Sequence, residues 1–289
     1  PDGTAPALST SPAEAPPTAP MTREGARWER RADLGVGGMG RVVLVRDRWL
    51  ARDVAVKEPA TPEDAHRLWR EALVTAGLEH PGIVPVYDLG SSSEGRPWFA
   101  MRVVRGRSLA EVIAATPSPT ERLRIVRPLL AACEAVAYAH ARGVVHRDLK
   151  ATNIMLGAFG ESQVIDWGLA QAPDAPPTDP GAAGTPRAMS PEQARGEAVG
   201  PASDVWSLGV LLWEVVAGRP AFDQPSRQEV LDEVKAGRAP PVSTSFFSAA
   251  GSFTGTSSSA RPSTWSKPSC DTSAPGAPCT TSSDFAQRE

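Results

Sequence analysis

The chain has 289 residues, a formal net charge of −3 and 41% hydrophobic residues, enough for one large soluble domain or two small ones with a sizeable core. It carries no block of Lys or Arg, which excludes nucleic acid as its main partner. Cys133, Cys270 and Cys279, an odd number without tight spacing, exclude a disulfide framework and a zinc site and place the chain in a reducing cytoplasm.

The first 26 residues are rich in Pro, Ala, Ser and Thr, too poor in apolar surface to offset ordering entropy, and are expected to form a disordered linker. They lack the basic and apolar regions of a signal peptide. No initiator Met is present, so a piece of a longer protein is expected. From Trp28 to Lys57 the pattern is strand-like, with β-rich runs at Arg41–Arg46 and Asp53–Lys57. Residues 62–78 follow as a helix, with Ala65, Leu68, Trp69, Ala72 and Leu73 at helical spacing. Short strands are expected over 83–89 and 97–104. A linker near 102–106 then leads into a helix-rich part. The helix over 123–142 places Leu130, Cys133, Ala137 and His140 on one stripe. Val144-Val145 and Val164-Ile165 read as short strands flanking a loop, and helices follow over 203–217 and 227–236. The longest apolar run, Leu208 to Gly218, contains Glu214 and is about half a membrane span, so it reads as a buried helix. No membrane span is expected within this chain. Strands first and helices second predict two lobes of an α+β protein.

Five motifs carry the chemistry. Leu34-Gly35-Val36-Gly37-Gly38-Met39-Gly40-Arg41-Val42 fits G-x-G-x-x-G-x-V, whose glycines let backbone N–H groups approach phosphate oxygens. A dinucleotide fold uses the same spacing but opens a helix at the last Gly, and a plain glycine turn is the bland alternative. A strand follows here, which favours a hairpin over a nucleotide. Val54-Ala55-Val56-Lys57 ends the next strand, and Glu71 on the following helix is the natural ion partner for Lys57. His146-Arg147-Asp148-Leu149-Lys150-Ala151-Thr152-Asn153 matches H-R-D-L-x-x-x-N in full. Eighteen residues after Asp148 comes Asp166-Trp167-Gly168, and later Gly184-Thr185-Pro186-Arg187-Ala188-Met189-Ser190-Pro191-Glu192.

These segments together resemble the protein kinases, and in style (Gly-Gly-Met-Gly, Met-Ser-Pro-Glu-Gln) the bacterial serine/threonine kinases. Arg outnumbers Lys by 26 to 4, which fits a GC-rich genome. The resemblance covers about residues 28–237. It implies a two-lobed fold with a β-rich lobe over 27–104 and a helical lobe over 105–241. It implies ATP and Mg²⁺, with Mn²⁺ as a substitute, and protein substrates phosphorylated on Ser or Thr. Under it Asp148 receives or orients the substrate hydroxyl proton, and Lys150 and Thr185 assist it. Lys57 holds the phosphates and is fixed by Glu71. Asn153 and Asp166 bind metal. Leu34, Gly35, Gly37, Gly38, Gly40, Val42, Ala55, Met101, Val103 and Met155 surround the nucleotide, with Met101 as gatekeeper. Asp204 braces the catalytic loop from a helix. Trp167 stands where the family has Phe, and Thr178, the one hydroxyl residue of 171–183, is expected as an autophosphorylation site paired with Arg147.

The resemblance fails near Pro241. Over 242–289, 20 of 48 residues are Ser or Thr, without periodicity, so a low-complexity tail from a shifted frame or a truncation is expected. The helical lobe is then incomplete and lacks the Arg that pairs with Glu192 in the family. Two alternatives follow: a truncated nucleotide-binding remnant without activity, and a small-molecule phosphotransferase of related fold.

Overall fold

The computed structural model describes residues 27–37, 40–92, 94–171 and 184–238. The expectations for 1–26, Gly38, Thr178 and 242–289 fall outside them. The chain opens with strands β1 (Trp28–Gly37), β2 (Gly40–Asp47) and β3 (Arg52–Pro59). Helix α1 (Ala65–Ala76) separates these from β4 (Val86–Ser91) and β5 (Pro97–Met101). The five strands form one antiparallel sheet in the order β1-β2-β3-β5-β4. Val43, Val45, Val54, Val56 and Ala100 form one buried cluster, with Trp28 and Trp98 against it edge-to-face at 5.5 Å. Leu68 and Ala72 of α1 pack on Phe99 in another.

The register sets the functional face. Val42 lies opposite Lys57, Leu44 opposite Ala55, and Ala55 opposite Met101. Directly opposed residues in an antiparallel ladder share a face, so Val42, Ala55, Lys57 and Met101 lie on the same side of the sheet. Gly40 admits no side chain, since a Cβ there would collide with the Glu58 carbonyl.

After Met101 the chain runs without regular structure to Gly106, whose φ of 138° and closeness to the Leu156 carbonyl require glycine. The helical half holds α2 (Leu109–Ala114), α3 (Pro119–Arg122), α4 (Val126–Ala141), α5 (Pro191–Arg195), α6 (Pro201–Ala217) and α7 (Arg227–Lys235). A small sheet of β6 (Arg107–Ser108), β7 (Ile154–Leu156) and β8 (Ser162–Val164) supports its upper loops. The α+β, two-lobed arrangement expected from the sequence is present. The core of the helical half joins α2, α4 and α6 through Leu109, Ile113, Leu129, Val136, Leu211 and Val215, and takes in Trp167. Helix α6 stops at Gly218, in the left-handed region at φ 71°, where Arg122 crosses beneath and donates to the Val216, Thr116 and Pro117 carbonyls.

Two helix faces differ from the sequence expectation. Helix α1 starts at Ala65, after a 3₁₀ turn at Pro62–Asp64, and buries Leu68, Glu71, Ala72 and Thr75. Trp69 and Leu73 are 41% and 56% exposed. The buried stripe is centred on a charged residue whose partner lies on β3, so a count of apolar residues alone selects the wrong edge. In α4 the buried residues are Leu129, Ala132, Ala135, Val136 and Ala139. Leu130 and Ala137 face solvent. That helix is apolar around most of its circumference, so periodicity does not single out one face. The expected strand at Val144-Val145 is a single bridge from Val145 to Gln171, and Ile83 forms a bridge to Val164 ahead of β4.

Candidate active site

Lys57 lies at the buried centre of β3, and Glu71 reaches it from α1. The Lys57 Nζ donates to both carboxylate oxygens of Glu71, at 2.7 and 2.8 Å, and to Asp166 Oδ1 at 3.0 Å. Burial pushes the Lys57 ammonium pKa down, but Glu71 and Asp166 outweigh it and hold the pKa above its ordinary value. Burial pushes the Asp166 carboxyl up, and the neighbouring ammonium again prevails, leaving it below the usual range. The three groups thus form one charged cluster drawn from a strand, a helix and a loop 109 residues away.

A second cluster forms on the loop after α4. Lys150 Nζ donates to Asp148 Oδ2 at 2.6 Å and to Thr185 Oγ1 at 3.2 Å. The Thr185 backbone N–H donates to Asp148 Oδ1 at 3.0 Å. Asn153 Nδ2 donates to the Asp148 carbonyl at 3.0 Å. The Ile165 N–H donates to the Asn153 carbonyl at 2.9 Å and so ties this loop to the one bearing Asp166. Asp148 and Asn153 are buried, as a preorganised site requires.

Two non-glycine residues here have left-handed backbone, Arg147 at φ 70° and Asp166 at φ 65°. Such conformations cost about 1–2 kcal/mol each and persist only where the surroundings fix them. Asp204 fixes the first. Fully buried on α6, it accepts the His146 and Arg147 backbone N–H groups at 2.8 and 2.9 Å and the His140 ring at 2.7 Å. Gln193 Nε2 adds a hydrogen bond to the Arg147 carbonyl at 2.7 Å. The second conformation sits beside Trp167, which is 1% exposed and lies 4.5 Å from the His146 ring. His146 Nε2 lies 3.2 Å from the Ile165 carbonyl.

Of the residues expected from the sequence, Lys57, Glu71 and Asp166 meet directly, as do Asp148, Lys150, Asn153 and Thr185. Leu34, Gly35 and Gly37 lie on β1, with Leu34 49% exposed and open space around a Cβ built at Gly35. Gly40 and Val42 begin β2, Ala55 lies on β3, Met101 ends β5, Val103 sits in the linker and Met155 on β7. Sequence reading missed Gln193, the His140 contact to Asp204, and Ser203, whose Oγ donates to Glu192 Oε1 at 2.6 Å. Burial pushes the Glu192 carboxyl up, and hydrogen bonds led by that of Ser203 bring it below its ordinary value. The one signal for Gln193 is its place directly after Ser-Pro-Glu.

The donor set suits a hard divalent cation. Asp166 offers carboxylate oxygens, and Asn153, with its amide nitrogen committed to Asp148, offers Oδ1. No group of three or more His, Cys, Asp or Glu converges among the described residues.

A two-lobed fold with a buried Lys–Glu–Asp cluster and an Asp–Lys–Thr cluster carries the groups that phosphoryl transfer of the kinase class uses. The protein kinase domain family matches residues 28–265, and the chain belongs to it. It is 40% identical over 207 residues to the serine/threonine-protein kinase PknB of Mycobacterium leprae, covering 68% of this chain and 33% of that protein. It is 37% identical over 222 residues to the DNA damage-responsive serine/threonine-protein kinase RqkA of Deinococcus radiodurans, covering 74% and 33%. With the serine/threonine-protein kinase PknD of Protochlamydia amoebophila it shares 31% identity over 237 residues, covering 70% and 24%. The chain thus spans about a third or less of the length of these relatives. No helix among the described residues is long and apolar enough to cross a membrane.

Proposed function

We propose that this chain transfers the γ-phosphate of ATP to serine or threonine hydroxyls of protein substrates, as a cytoplasmic bacterial signalling kinase. The observation that carries the reading is the pairing of two preformed clusters. Lys57 is already fixed by Glu71 and Asp166, and Asp148 is already held by Lys150, Thr185 and Asn153.

In this reading Lys57 places its ammonium on the α- and β-phosphates. Residues 34–42 close over the phosphates, and Val42, Ala55, Met101, Val103 and Met155 surround the base. Asn153 Oδ1 and Asp166 would hold Mg²⁺, or Mn²⁺ in its place, which would supply positive charge against the phosphates. Asp148 orients the substrate hydroxyl and receives its proton. The hydroxyl oxygen bonds to the γ-phosphorus, the bond from that phosphorus to the β–γ bridging oxygen breaks, and ADP leaves with the electron pair. Lys150 neutralises charge on the transferring group, and Thr185 keeps Asp148 and Lys150 in register. The contact of Thr185 with both supports Ser/Thr rather than Tyr specificity. An inert remnant is the weaker reading, because nothing in it calls for these seven side chains to be held within hydrogen-bond reach. Incubation with γ-labelled ATP, Mg²⁺ and a generic protein substrate tests it: label is expected on Ser and Thr and absent with Asp148→Asn. Autophosphorylation at Thr178 is read in the same assay by mass spectrometry.

A further inference from the structure

Between the last turn of α1, the start of β4 and the linker lies a cavity of about 340 Å³. Its lining includes none of the residues of the two charged clusters. Leu78, Ile83 and Val86 supply apolar wall, and Glu79, His80 and Arg102 supply polar groups. The Arg102 side chain is exposed and makes no ion pair or hydrogen bond among the described residues. His80 Nδ1 accepts the Gly82 N–H at 3.0 Å, which leaves the proton on Nε2 as a second donor. His80 is held by its contact with the Tyr138 ring at 5.1 Å, and the Tyr138 hydroxyl accepts the Glu79 N–H at 3.1 Å.

We infer that this cavity binds a small monocarboxylate with a compact apolar body, its carboxylate on Arg102 and His80. The volume accommodates roughly ten non-hydrogen atoms at about 30 Å³ each. Arg102 and His80, both on the lining beside an apolar wall, offer donors that match such a ligand. Glu79 on the same lining opposes a polyanion, so inorganic phosphate and nucleotides are poor fits.

The position of the cavity makes its occupant an effector. Thr75 lines it, and Thr75 Oγ1 donates to the Glu71 carbonyl at 2.7 Å. Glu71 in turn holds Lys57. Arg102 directly follows Met101, and its N–H donates to the Pro85 carbonyl at 3.2 Å. A ligand bridging these walls stabilises α1 in the position that pairs Glu71 with Lys57. This coupling rests on the nucleotide reading above, and the binding itself does not.

The test uses phenylacetate as the probe and the full chain without nucleotide, followed by titration calorimetry and saturation-transfer NMR. Saturable binding is expected with a Kd on the order of 1 mM, as ten atoms of modest efficiency give. Phenylacetamide should not bind. Binding should weaken at least about tenfold in Arg102→Met, the value of one charge-assisted contact. Ala76→Trp, which places bulk in the cavity from the helix end, should abolish it, and this variant and the amide carry the decision if Arg102→Met fails to fold. Saturating phenylacetate should then tighten the Kd of a fluorescent ATP analogue by about fivefold. Absence of saturable binding up to roughly twenty times the expected Kd overturns the site, as does binding that both variants leave unchanged. Binding with no effect on nucleotide Kd overturns the effector role and leaves the kinase reading untouched.

Discussion

Lys57 is the residue on which most of the geometry converges. Its side chain and that of Glu71 are 10% and 6% exposed, so removing Lys57 leaves Glu71 uncompensated in a low-dielectric setting, while removing Glu71 leaves Lys57 with Asp166 alone. A double-mutant cycle with Lys57→Met and Glu71→Gln should therefore be non-additive in stability, with a coupling of about 1–3 kcal/mol by urea unfolding. A coupling within error of zero would mean that the pair is solvent-screened. Trp167 is the other decisive side chain. It replaces Phe in the motif, is enclosed by the core of the helical half, and its indole N–H finds no hydrogen-bond partner among the described residues. Trp167→Ala should cost about 3–5 kcal/mol, read by thermal or urea unfolding, because the cavity cannot collapse between His146 and the core. Much of this level was legible in the sequence. Lys57, Glu71, Asp148, Lys150, Asn153, Asp166 and Thr185 are identified by short motifs with fixed spacing, and the structure brings each to a partner. Gln193, His140 and Ser203 were not, since a lone polar residue on a helix carries no spacing signal until its partner is known.

At the scale of the element, helices are placed by their polar residues as much as by their apolar ones. Asp204 is the plainest case: one carboxylate on α6 organises two backbone N–H groups and a histidine ring. Asp204→Ala leaves those donors unpaired and releases the strained Arg147 backbone. It should lower kcat by an order of magnitude or more, with a smaller change in the KM for ATP, because the loop bearing Asp148 loses its brace. Because partial unfolding also lowers apparent kcat with KM unchanged, circular dichroism accompanies the assay: a native spectrum is expected, and a lost one would point to global unfolding instead. Helix α2 begins with a capping box, in which Ser108 Oγ accepts the Glu111 N–H and Glu111 accepts the Ser108 N–H. Ser108→Ala should cost about 1 kcal/mol in denaturant unfolding. The capping box is visible in Ser-Leu-Ala-Glu, yet the inward faces of α1 and α4 were not readable from periodicity. In α1 the buried stripe holds Glu71 and Thr75, and in α4 the apolar residues run nearly all the way round.

For the molecule as a whole, the described residues form one unit in which charge pairs join segments distant in sequence. Arg27 bridges Asp47 and Asp88 beside the rings of Trp28 and Trp49. Burial pushes the Asp47 carboxyl up, but Arg27 and the Leu50 and Trp49 N–H groups bring it below its ordinary value of 3.8. Asp166 is shifted the same way. A carboxyl lowered in the folded state stabilises fully above the unfolded value and loses that contribution as pH falls through the folded one. Stability should hold from neutrality down to about pH 4 as far as these two groups decide it, then fall steeply. Asp47→Asn should cost about 1.5–3 kcal/mol at pH 7 and flatten the limb below pH 3.8, followed by circular dichroism. An unchanged limb would assign acid unfolding to other carboxyls.

Under the proposed function, both charged clusters serve one event, the passage of a phosphoryl group to a hydroxyl oriented by Asp148. The most direct measurement is transfer from γ-labelled ATP to a protein substrate by the full chain, beside Asp148→Asn, with nucleotide binding followed in both. The geometry predicts label on Ser and Thr in the parent chain, a loss of about 10²–10⁴-fold in the variant, and nucleotide binding retained in both. Binding without transfer in the parent chain, or transfer undiminished in Asp148→Asn, would contradict it.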